Sequence, residues 1–100
     1  MRCERLDVWK QSCRLSVAVF KNFFDCRDYG LKDQITRSSL SIASNIAEGI
    51  EKESDREKIR FIEIARGSGA ELITQTYIGI EIGYIKNPLE LIGLMKYKRF

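Results

Sequence analysis

The chain has 100 residues, 44% of them apolar and 31% charged, a balance that fits one globular domain over residues 1–100 and excludes disordered, collagen-like and low-complexity classes. Seventeen Lys and Arg against fourteen Asp and Glu leave a formal charge of +3, mildly basic and in itself no argument for any partner. Histidine is absent, which removes Ser-His-Asp and Cys-His catalysis, His-ligated metal sites and His-ligated haem.

From Leu6 to Phe24, apolar residues fall at Leu6, Trp9, Cys13, Val17 and Phe20, with Leu15, Val19 and Phe23 alongside. These steps of three and four predict a first amphipathic helix with Trp9 and Phe20 as core anchors. Cys3, Cys13 and Cys26 are odd in number and never spaced as CxxC, so neither a disulfide framework nor a zinc ribbon is expected, and Cys13 reads as a buried reduced thiol. Charges in the first seven residues interrupt what a signal peptide would need to be apolar, and no 18-residue apolar run exists. A soluble, cytoplasmic chain without membrane partners or cofactors is the expectation.

Residues 25–30 break the pattern, and Gly30 is suited to a left-handed turn. Leu31, Ile35, Ile42, Ile46 and Ile50 form the stripe of a second helix, Leu31 to Ile50, with Gln34, Arg37, Ser41, Asn45 and Glu48 on another face and Gly49 as its cap. Residues 51–58 are a nearly neutral charge run, read as a solvated loop and first turn or as a docking surface. Within it Ser54 and Glu57 have the spacing of a capping box, so a third helix begins just after Ser54.

Tyr77 to Ile85 alternates like a half-buried strand. Two uninterrupted heptad-like stripes run through the same residues: Ile62, Ala65, Gly69, Leu72, Thr76, Gly79 and Gly83, and beside them Arg66, Ala70, Ile73, Tyr77, Ile80 and Tyr84. They favour one long helix from about Asp55 to Ile85. Gly67, Gly69, Gly79 and Gly83 would then each cost about 1 kcal/mol against alanine, and the Gly79–Gly83 spacing would admit a second helix closely. Asn87-Pro88 reads as a stop and a new start, with Leu91, Ile92 and Met95 of a short last helix facing inward.

Residues 34–49 (QITRSSLSIASNIAEG) and 61–72 (FIEIARGSGAEL), with Leu6, Val8, Trp9 and Tyr29-Gly30-Leu31, resemble a bacterial four-helix-bundle family known from reading frames inside intervening sequences of large-subunit ribosomal RNA. The resemblance covers roughly residues 5 to 86. It implies an all-α, antiparallel up-down bundle with Gly67 and Gly69 inside the third helix, assembled as a homo-oligomeric ring, most often of five copies. Accessory proteins of diversity-generating retroelements are similar in fold and bind nucleic acid through basic surface. No biochemical activity carries over from the resemblance. The chain departs from the family in having only about a dozen residues after Pro88, ~18 Å of helix beside a third helix of ~45 Å, so part of the third helix must be covered by something else.

The polar stripe Gln34, Arg37, Ser41, Asn45 and Glu48 is read either as a ligand-binding or catalytic face or as hydrogen bonding across a tight helix interface, with Glu71 or Glu48 as charge partner of Arg37. The Arg66–Ala70 glycine run lacks the strand and the Lys-Ser or Lys-Thr of a phosphate loop, and without histidine Glu63, Glu71 and Glu81 cannot form a di-iron site. Lys10, Arg14 and Lys21, at steps of four and seven, line one side of the first helix and, with Lys96, Lys98 and Arg99, are the expected phosphate contacts. The function expected is a non-enzymatic, nucleic-acid-binding (RNA foremost) accessory or scaffold protein. The alternatives are a protein-interaction oligomer without a nucleic-acid role and, third, an undetected small-molecule enzyme.

Overall fold

The computed structural model describes residues 2–95, so Lys96, Lys98 and Arg99 lie outside the described residues. A 3-10 turn at Arg2–Arg5 leads into α1 (Asp7–Asn22), α2 (Tyr29–Glu51), α3 (Asp55–Glu81) and α4 (Pro88–Met95). No strand occurs among the described residues, and the chain is an all-α four-helix bundle with a short fourth helix. In the segment that alternates like a strand, residues 77–81 are helical.

α1 buries Leu15 and Val19, with Phe23 immediately beyond its end. These steps of four define its inner face. Val17 stands two residues, about 200° of helical turn, from both Leu15 and Val19, and it is 52% exposed. Phe20 is 47% exposed and flanks the core instead of anchoring it, whereas Trp9 is half-buried against the core. Cys13 is half-buried rather than buried.

α2 starts from Asp28, whose Oδ1 accepts a hydrogen bond from Leu31 N at 3.2 Å. Gly30 therefore sits in the first turn of the helix, not in a left-handed turn. Gly49 does not cap the helix either. α2 continues to Glu51, and a Cβ at Gly49 would lie 3.0 Å from Phe61 Cβ and 3.4 Å from Lys58 O, so this glycine lets α3 come close. Three residues after Glu51, Ser54 Oγ accepts from Glu57 N at 3.2 Å, the cap that its spacing predicts.

α3 has 27 residues, about 40 Å of helix, and ends at Glu81 instead of Ile85. Tyr84 N donates to Gly79 O at 2.9 Å and Gly83 N to Ile80 O at 3.1 Å, the paired bonds of a Schellman motif with Gly83 in the left-handed position at φ 80°. Gly83 thus terminates the helix rather than forming a helix-packing pair with Gly79. The space at Gly79 is occupied from within the chain: an added Cβ would lie 2.9 Å from Ile85 Cδ1 and 3.4 Å from the Phe23 ring. Gly67, by contrast, faces nothing within 4 Å.

α2 lies between α1 and α3, and α4 packs mainly on α1. Leu15, Val19, Phe23, Ile35, Ile42, Ile46, Leu72 and Leu91 share the core. Asn22, 4% exposed, ties the last turn down: its Nδ2 donates to Ala18 O at 2.9 Å and its Oδ1 accepts from Asn87 N at 2.8 Å, just before Pro88 opens α4. Leu91 is buried as predicted, whereas Ile92 is 38% exposed. With only eight residues, about 12 Å, α4 cannot cover α3. Of the second stripe, Ile73 and Tyr77 stay exposed, and so does Ile59 on the same flank.

Alanine scanning of the glycines tests this assignment through opposite signs. Gly67→Ala removes a helix-interior glycine in open space and is expected to raise unfolding stability by about 0.5–1 kcal/mol. Gly83→Ala places a side chain at positive φ and is expected to lower it by about 1–2 kcal/mol. Urea denaturation of both variants reads the two shifts, and equal signs would contradict the helix end at Glu81.

Candidate functional site

Small polar residues face each other where α2 and α3 meet. Ser68 Oγ donates to Ser41 Oγ at 2.8 Å, and Asn45 Nδ2 donates to the same Ser41 oxygen at 2.9 Å and to Ser41 O at 2.8 Å. Ser38 Oγ donates to Gln75 Oε1 at 2.5 Å. On the other side of α2, Ser39 and Ser16 of α1 join hydroxyls at 3.1 Å. These bonds satisfy polar groups that close helix packing would otherwise strip of water.

Above the α2–α3 bonds lies a recess of about 310 Å³ lined by Gln34, Arg37, Ser38, Ser41, Ser68, Glu71 and Gln75. Gln34, Arg37, Ser41 and Glu71, singled out in the sequence, meet here. Asn45 bonds from below, and Glu48 stands apart, 3.7 Å from Lys52. Among the described residues Arg37 forms an ion pair with neither Glu71 nor Glu48, which corrects the charge partnership expected for it. Ser38, Ser68 and Gln75 complete the lining unannounced. The signal that could have found two of them is the seven-residue step from Ser68 to Gln75, which puts both on one side of α3. Gly69 and Gly79 are buried in α3, while Gly67 and Gly83 are exposed.

Lys10, Arg14 and Lys21 are exposed along one side of α1, whose only acid is Asp7 in the first turn. None of the three is engaged by a carboxylate among the described residues, whereas Arg2, Lys52, Arg60, Arg66 and Lys86 are. Beside Lys21 an apolar groove of about 370 Å³ runs between α1 and α2, lined by Cys13, Val17, Phe20, Leu40 and Ala43 among others.

The far end of the bundle carries a solvent-exposed ion pair. Lys86 Nζ donates to Asp25 Oδ2 at 2.6 Å, joining the α3–α4 turn to the end of α1. This hydrogen bond first, then the charge of Lys86 and more weakly that of Lys32, holds the Asp25 carboxyl below the usual carboxylate range. Among the described residues no three His, Cys, Asp or Glu side chains are placed to hold a metal ion, and no helix is long and apolar enough to cross a membrane.

Fold and surface together define a helical-bundle protein with a serine-bonded α2–α3 seam and a free basic flank. The chain belongs to the family described as 23S rRNA-intervening sequence protein, which it matches over residues 4–93. That description names a gene location and no enzymatic activity. Among curated proteins no significant match was found.

The electrostatic clamp carries a pH signature. A carboxyl whose folded pKa is depressed contributes stability above its unfolded pKa and loses it as pH falls through the folded one. An NMR titration of Asp25 is expected to show a midpoint below that of an unpaired aspartate, and Lys86→Met is expected to move it upward. An unchanged midpoint in the variant would remove the clamp.

Proposed function

We propose that the protein is a non-enzymatic accessory or scaffold protein that assembles into a homo-oligomeric ring, of five copies on the family resemblance, and contacts nucleic acid, RNA foremost, through phosphates. The observation that carries this reading is the row Lys10, Arg14 and Lys21, exposed on one side of α1 and free of carboxylate partners among the described residues. Lys21 lies eleven positions after Lys10, about 17 Å of helix, long enough to follow several phosphates of a double helix. Lys96, Lys98 and Arg99 extend the proposed contact set.

Self-association is supported by apolar surface that the single chain leaves open. Ile73 and Tyr77 on α3 are 56% and 67% exposed, and Leu89 on α4 is 85% exposed. Such surface marks interaction sites in soluble proteins. Repeating a weakly basic flank around a ring turns three cations per copy into a multivalent surface, and simultaneous engagement strengthens binding that one copy alone would make feebly.

Two measurements test the reading. Fluorescence anisotropy of structured RNA across a salt series is expected to show binding that weakens as salt rises, with Lys10→Glu plus Arg14→Glu lowering the slope of log affinity against log salt by about 2 per engaged copy. Sedimentation is expected to show an oligomer that Ile73→Arg plus Tyr77→Arg takes apart. An assembled protein with no RNA affinity at low salt would leave the protein-interaction scaffold as the function.

A further inference from the structure

We propose that the recess between α2 and α3 is a binding site for a small zwitterion of the α-amino-acid class, its carboxylate held by Arg37 and Ser41 and its ammonium by Glu71. The recess, about 310 Å³, is at the small end of ligand sites, which run from about 300 to 1,000 Å³. Every residue lining it is polar or charged, so its occupant must be compact and rich in hydrogen-bonding groups.

The donor arrangement specifies the carboxylate. A serine hydroxyl has one proton and two lone pairs. Ser41 Oγ accepts from both Ser68 and Asn45, so its acceptor capacity is filled and what remains is its own O–H, strengthened as a donor by the bonds it receives. Arg37 stands four residues earlier, on the same side of α2, with five N–H donors and no carboxylate partner among the described residues. Guanidinium and polarised hydroxyl together form a charge-assisted anion site.

The opposite wall selects against a simple anion. Glu71 of α3 offers only acceptors and has no cationic partner among the described residues. Gln75 has its Oε1 occupied by Ser38, which leaves its amide N–H groups to donate, and the side chain of Gln34 has no hydrogen bond among the described residues. One fixed positive and one fixed negative charge make the lining neutral. A phosphate would be repelled by Glu71 and a metal cation by Arg37, whereas a zwitterion satisfies both. The site is separate from the basic flank of α1, so it stands or falls independently of nucleic-acid binding.

Isothermal titration of the full chain with glycine, L-alanine, L-serine and L-glutamine in turn tests the site, with acetate, methylammonium and inorganic phosphate as controls. At least one amino acid is expected to bind saturably, with a dissociation constant of about 1 mM or tighter, and more strongly than any control. Arg37→Gln, Ser41→Ala and Glu71→Gln are each expected to weaken it at least roughly tenfold, the scale of losing one good polar contact, while Lys10→Glu leaves it unchanged. Absence of saturable binding by all four amino acids up to about 10 mM, or tighter binding of phosphate, would overturn the proposal. So would Arg37→Gln and Glu71→Gln altering sedimentation with no effect of amino acid on the parent protein, which would make the two charges an ion pair between copies.

Discussion

Close approach of α2 and α3 governs the rest of the molecule. The two helices meet through Gly49, Ser38, Ser41 and Ser68, residues whose short side chains let the backbones come near and whose hydroxyls then need partners inside the contact. The Ser41–Ser68 and Ser38–Gln75 bonds supply them. A hydroxyl buried without a partner costs about 1–3 kcal/mol, comparable with the gain from burying one aliphatic side chain. The serine seam is therefore tolerable because it is bonded through, whereas Thr76 Oγ1, buried on the same helix, has no hydrogen-bond partner among the described residues, and the apolar load falls on Ile35, Ile42, Ile46 and Leu72.

The same geometry explains the uneven coverage of α3. One side of that helix lies against α2, the turn after Glu81 folds Ile85 back onto Gly79, and α4 settles on α1. None of these contacts reaches the outer flanks of α3, so Ile59, Ile73 and Tyr77 remain in water in a single chain. α3 is thus apolar over more of its circumference than its own chain covers.

Much of this fold was legible before any coordinates. The periodicity of Ile35, Ile42 and Ile46, the Ser54–Glu57 cap and the Asn87-Pro88 break locate three helix boundaries or faces through local chemistry alone, and local chemistry decides them. What escaped depended on tertiary context. Val17 and Phe20 share helical spacing with true core residues, and only the position of α2 decides which of the two interleaved stripes goes inside. Gly49 and Gly83 exchanged roles for a similar reason: a glycine can end a helix or admit a neighbour, and a single sequence does not distinguish these uses. At the site, the polar stripe on α2 was visible, but Ser38, Ser68 and Gln75 were not assigned to it, because pairing across two helices depends on their register.

Only residues 52–54 separate α2 from α3, and this has a consequence for how the chain reaches its native state. Most of the stabilising contact lies between stretches adjacent along the backbone, so little loop-closure entropy opposes it. Chains dominated by such short-range pairing fold within microseconds to milliseconds. The helical hairpin can thus form early, with α1 and α4 docking onto it afterwards, so the longest-range packing, that of α4 on α1, is added to a scaffold already in place.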